Sequence, residues 1–171
     1  LDTLVPKDAK ILVLFGGESA RRTGTLDEVE AALDGRQVQL FGGIEPNPSF
    51  ETLMEAVSVV QRDGIDYLLA VGGGSVIDGT KFVAAASVFE GDAWDILLKG
   101  GTNIHRALPF GSVLTLPATG SEMNKGAVVT RKSLQAKLPF HSEQVFPQFS
   151  VLDPTKSFTL PPRQVANGVV D

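Results

Sequence analysis

The chain contains no cysteine, and that absence removes disulfides, thiolate metal sites and cysteine nucleophiles at once. Histidine is nearly as scarce. His105 and His141 are the only two, neither has a ligand partner at helical or short-loop spacing, and both read as surface or structural side chains. Basic residues adjoin only in pairs such as Arg21-Arg22 and Arg131-Lys132. With a net charge of −5, nothing here tracks a nucleic-acid backbone. No apolar run approaches membrane length and the N-terminus lacks a signal-peptide pattern. The expectation is a cytoplasmic protein with no nucleic-acid and no membrane partner. Gly-x-Ser-x-Gly and His-Glu-x-x-His are missing too, and no complete catalytic constellation can be assembled.

What is present suffices for one core. The 171 residues are 43% hydrophobic and 20% charged, which suits a single domain built on a sheet covered on both faces. Residues 11–15 (Ile-Leu-Val-Leu-Phe) and 67–71 are apolar runs of strand length, 38–41 (Val-Gln-Leu-Phe) reads as a further strand, and glycine follows 11–15 and 38–41 directly and 67–71 as a triplet. Helical stripes follow at about 25–33, 49–62 and 75–87, the second closed by Asp63-Gly64. Three repeats of strand, glycine and helix imply an α/β fold with a parallel, Rossmann-like sheet flanked by helices. Further on, 112–116 reads as a strand and 126–131 with 135–140 as an inserted β-hairpin, its second strand limited by Pro139 to an edge or an early end. A last strand spans 149–152, and a helix opens on proline after Leu160.

The strongest chemical signal is residues 67–81, where an uncharged apolar run enters Gly72-Gly73-Gly74 and a helix begins at once. Bare glycines let a polyanion approach backbone N–H groups, and a helix N-terminus adds donors and a positive dipole end. The pattern is neither Gly-x-Gly-x-x-Gly, since Ile77 stands at the third glycine, nor a P-loop. Ser75 and Asp78 have the spacing of a capping box, and on pattern alone Asp78 reads as a cap. Gly16-Gly17 with Ser19 repeats the theme after the first strand, and Thr115, Thr119 and Ser121 crowd hydroxyls around Gly120. These residues point to a nucleotide cofactor.

Gly72-Gly-Gly-Ser-Val-Ile-Asp78, Leu116-Pro-Ala-Thr-Gly-Ser-Glu122 and the end Val169-Val170-Asp171 together resemble the iron-containing (group III) alcohol dehydrogenases. Residues 41–48 (Phe-Gly-Gly-Ile-Glu-Pro-Asn-Pro) bring the chain nearest their NADPH-dependent aldehyde reductase and butanol dehydrogenase branch. The resemblance implies that residues 1–171 are the nucleotide-binding domain, trimmed at both ends and stopping before an all-helical metal-binding domain. It implies that Gly73, Gly74 and Ser75 seat a pyrophosphate, with Asp78 near the nicotinamide end. Gly17 and Ser19 would lie by the adenosine ribose and its 2′-phosphate, Thr115, Thr119 and Ser121 would line the groove, and Lys137 would reach ribose or phosphate. Asp171 matches the first metal ligand, for Fe²⁺ or Zn²⁺, and the remaining ligands lie beyond this sequence. The full-length protein would be a homodimer acting on a small alcohol or aldehyde, and the fragment alone would be inactive.

Two departures stand out. The loop 116–122 is shorter than the family's usual pattern, and Glu18 occupies a place where glycine is frequent. NADP(H) is expected over NAD(H), because the second strand ends in Gly42-Gly43 with no acid before Glu45 to bind a ribose 2′-hydroxyl. Two other readings share the phosphate seat: a dehydroquinate synthase-like lyase domain, and a nucleotide-binding module without catalysis.

Overall fold

A computed structural model describes residues 1–170. Its elements in order are β1 (Lys10–Phe15), α1 (Ser19–Arg22), α2 (Thr25–Ala32), β2 (Gln37–Phe41), α3 (Phe50–Asp63), β3 (Tyr67–Gly73) and α4 (Gly74–Ala86). They continue with α5 (Trp94–Leu98), β4 (Phe110–Leu116), β5 (Gly126–Arg131), β6 (Ala136–His141), β7 (Ser150–Val151) and α6 (Pro162–Val170). Five strands pair in parallel in the order β2-β1-β3-β4-β7, and β5 with β6 forms a separate antiparallel hairpin.

The sheet is parallel because each connection after β1, β2 and β3 is a helix that covers a face. Both faces are therefore dry. Leu12, Leu14, Leu68 and Ala70 pack under α3, α4, α5 and the hairpin. Ile11, Val13, Tyr67, Leu69 and Val71, one residue out of phase, pack against α1, α2 and the N-terminal segment. Local signals agree with this arrangement. Ser49 caps α3 by accepting from Thr52 N, and Gly64 ends the helix at φ 65°.

Several expectations need correction. The Gly72–Gly74 stretch is not a turn: β3 runs through Gly73 and α4 starts at Gly74. The last strand shrinks to Ser150–Val151, and α5 carries no clear sequence signal. Pro139 lies on an edge strand, one of the two alternatives expected, and does not end it early: β6 runs on to His141. The proline's register partner Val128 gives its N–H to Asp78 Oδ2 at 3.0 Å rather than across the hairpin, so a residue without an N–H is tolerated there. The proline-opened helix forms as α6, which rests on Pro117 through Gly168 and leaves Val169 and Val170 exposed. Asp171 lies outside the described residues. Among the described residues, no helix is long and apolar enough to cross a membrane.

Candidate cofactor site

β1 to β4 deliver their C-terminal ends to one edge of the sheet. The chain steps outward from β1 to β2, then returns past β1 to β3, so its direction of growth reverses between β1 and β3. Open α/β sheets hold ligands at such a reversal. The connections after the four strands meet there. Gly43 N donates to Gly16 O at 2.8 Å, Asn47 N to Ser75 Oγ at 3.3 Å, and Lys137 Nζ to Asn47 Oδ1 at 2.7 Å.

What sets the three glycines apart is crowding, tightest at Gly72 and Gly74, rather than backbone freedom, since none has positive φ. A Cβ on Gly72 would fall 2.6 Å from Val76 Cγ2, one on Gly73 3.3 Å from Leu116 Cβ, and one on Gly74 against Thr119 Oγ1. The expected open cradle is thus filled by the protein's own packing at these positions, and what remains for a ligand is the end of α4. That helix of 13 residues is capped by Gly73 with no side-chain bond, and no acid stands in its first turn, among the described residues. Its leading N–H donors and dipole are left for an anion. Gly17 differs from the triplet, because the space around its Cβ position is open and the residue is exposed.

The capping reading of Asp78 does not hold. Its Oδ1 accepts from Ser121 Oγ at 2.7 Å and its Oδ2 from Val128 N, so the carboxylate ties α4 to the 117–126 loop and the hairpin. Burial pushes its pKa up, against the lowering effect of these two bonds and of the Lys81 charge. Ser121 is buried and shares a hydrogen bond of 2.9 Å with Thr119 Oγ1. Thr115 is the extra residue where the β3–β4 register slips, Gly72 facing Leu114 and Gly73 facing Leu116, and such a bulge re-aims a side chain at a strand end. Gly73, Gly74, Ser75, Thr115, Thr119, Ser121 and Lys137 are therefore gathered along one rim. Gly17 and Ser19 stand on the other side of β3, at the end of β1.

Three residues of this region have roles that the sequence reading did not assign. Asn47, held at φ 57° between two prolines, links Ser75 to Lys137. Glu45 is the acid nearest the end of β2, yet it is occupied. Burial would raise its pKa, but bonds from Lys132, its own backbone N–H and Ser49 outweigh this and hold it at about 2. Lys81 is buried in the middle of α4, and a lysine within that apolar stretch was the available signal. No group of three His, Cys, Asp or Glu side chains suited to a metal occurs among the described residues.

Known proteins share this arrangement. A sequence profile of the iron-containing alcohol dehydrogenases matches residues 1–154. The NADPH-dependent aldehyde reductase YqhD of Escherichia coli K12 is 58% identical over 98% of this chain and 44% of its own length. The probable NADH-dependent butanol dehydrogenase 1 of Bacillus subtilis 168 is 46% identical over 99% of this chain and 44% of its own. The chain thus spans under half the length of these relatives. Among solved structures, E. coli YqhD superposes with a TM-score of 0.98 at 57% identity, covering 99% of this chain and 44% of that one. The NADH-dependent butanol dehydrogenase A of Thermotoga maritima gives 0.92 at 40% identity over 96% of this chain and 42% of that one. A profile matched over most of the sequence, and a sheet reproduced over nearly all of it, make this chain a member of the iron-containing alcohol dehydrogenase family.

Proposed function

We propose that residues 1–171 are the NADP(H)-binding domain of a metal-dependent alcohol dehydrogenase or aldehyde reductase. The observation that carries this reading is the N-terminus of α4, without a side-chain cap or an acid in its first turn, standing where the strand order reverses. Gly73, Gly74 and Ser75 would present backbone N–H groups to the pyrophosphate. Gly17 and Ser19 would meet the adenosine ribose and its 2′-phosphate, with Asp78, Thr115, Thr119 and Ser121 shaping the groove and Lys137 reaching ribose or phosphate.

Relatives named for NADPH and for NADH both occur at high identity, so the cofactor preference rests on residues of the rim. Glu45 is bound to Lys132 and Ser49, so no free acid at the end of β2 repels a 2′-phosphate. When bound, NADPH would give hydride to an aldehyde carbon, and NADP+ would take it from an alcohol carbon. In the whole protein Asp171 would be one ligand of an Fe²⁺ or Zn²⁺ ion, the assembly a cytoplasmic homodimer, and this portion alone competent to bind cofactor without turnover.

Calorimetric titration of the chain with NADPH and, separately, NADH tests the reading. Saturable binding that favours NADPH is expected. A folded chain that binds neither overturns the cofactor assignment, and equal or tighter NADH binding overturns the preference.

A further inference from the structure

Lys81 has no solvent exposure, and the ammonium group has three N–H donors to satisfy in the protein interior. It finds three acceptors: Asn124 O at 2.8 Å, Asn124 Oδ1 at 2.9 Å and Gly126 O at 2.8 Å. Asn124 passes the restraint on. Its Nδ2 donates to Gly120 O at 2.9 Å, and its Oδ1 also accepts Gly126 N at 2.9 Å. Gly120, at φ 69°, is the left-handed turn between Thr119 and Ser121. One helical turn back along α4, Asp78 holds Ser121, which in turn holds Thr119. Two residues three apart on one helix face thus clasp the loop whose Thr119 lies against Gly74.

We propose that Lys81 and Asn124 are positioning residues for the cofactor site: neither touches the ligand, and together they set the 119–121 loop against the N-terminus of α4. The inference rests on the cofactor reading above for its consequence, but not for the clasp itself. The three-acceptor geometry matches an ammonium only. A neutral amine keeps two N–H groups and turns a lone pair toward an oxygen. Burial lowers the Lys81 pKa to about 8, while the carboxylates of Asp78 and Glu122 oppose that fall. The other charged or titratable groups on the elements packed around it are Lys10 on β1, Glu51, Glu55, Arg62 and Asp63 on α3, Tyr67 on β3, Arg131 on β5, Lys137 and His141 on β6, and Glu143 with its partner Lys125. Binding by the wild-type chain should therefore weaken as the pH rises through about 8.

The test pairs hydrogen exchange of residues 117–128 with NADPH titration, on the wild type, Lys81→Met and Asn124→Ala. Faster exchange in 117–128 with β1 and β3 still protected is expected in both variants. Their affinity should be about tenfold weaker, the size of one net buried hydrogen bond. The fall in affinity above pH 8 should vanish in Lys81→Met. Unchanged exchange in the loop overturns the clasp, and a loosened loop with unchanged affinity and pH profile overturns the positioning role. A wild type that binds no NADPH defeats the cofactor reading, and exchange alone then decides the clasp. If Lys81→Met does not fold, Asn124→Ala decides, because it alters a half-buried loop residue and leaves the lysine in place.

Discussion

Thr119 fills the space that a side chain on Gly74 would need, so a Cβ built on that glycine lands on the threonine hydroxyl. Gly74→Ala is expected to push the 117–122 loop away from α4, at an overpacking cost of about 1–3 kcal/mol, and to abolish measurable NADPH binding. The measurement is a pair of thermal melts. Gly74→Ala should melt lower, and Gly74→Ala combined with Thr119→Ala should recover most of the loss. A double variant no more stable than the single one would show that the glycine serves something other than this contact.

Glu18 precedes α1 at the end of β1, exposed and immediately before Ser19. A carboxylate beside a 2′-phosphate is repelled at a strength set by solvent and salt. Glu18→Gly should therefore raise NADPH affinity several-fold at low salt, leave NADH affinity nearly unchanged, and lose its advantage as salt is added. An unchanged ratio of the two affinities would place the 2′-phosphate elsewhere.

Glu45 makes the acid side of the stability profile informative. Its folded pKa of about 2 lies below the ordinary 4.5. The stabilisation is therefore complete above about 4.5 and is lost as pH falls through the folded value. Melting temperatures of the wild type should decline over that interval more steeply than those of Glu45→Gln. Parallel curves for the two proteins would contradict the depressed pKa.

The sequence and the structure agree where burial is strong. The runs 11–15 and 67–71 have strand length, no charge and glycine after them, and a parallel strand buried on both faces has no other pattern to show. The stripe of α3, with Ser49 before it and Gly64 after, was equally readable. The capping-box reading of Asp78 failed because Ser-x-x-Asp records spacing only, whereas the carboxylate's partners, Ser121 and Val128, lie 43 and 50 residues away. Asn47 and Lys81 were missed for the same reason, since each acquires its role from a segment far along the chain. Gly42 shows the limit from the other side. It read as an empty place at the end of β2, yet the Phe15 ring lies 2.6 Å from its Cβ position. Gly42→Asp would therefore disturb packing before it could alter cofactor choice.

The sheet divides the interior into two hydrophobic layers, α1 and α2 closing one and α3, α4, α5 and the hairpin the other. The candidate rim crosses that divide, with Gly17 and Ser19 at the thinner layer and Gly74, Thr119 and Lys137 at the thicker one. A dinucleotide along the rim would act as a further brace between two layers already joined by the strands and by bonds such as Gly43 N to Gly16 O. Its mass-action stabilisation, about 2.7 kcal/mol at a hundredfold excess over Kd, would then belong to both layers together, since β1 and β3 face each of them with alternate residues.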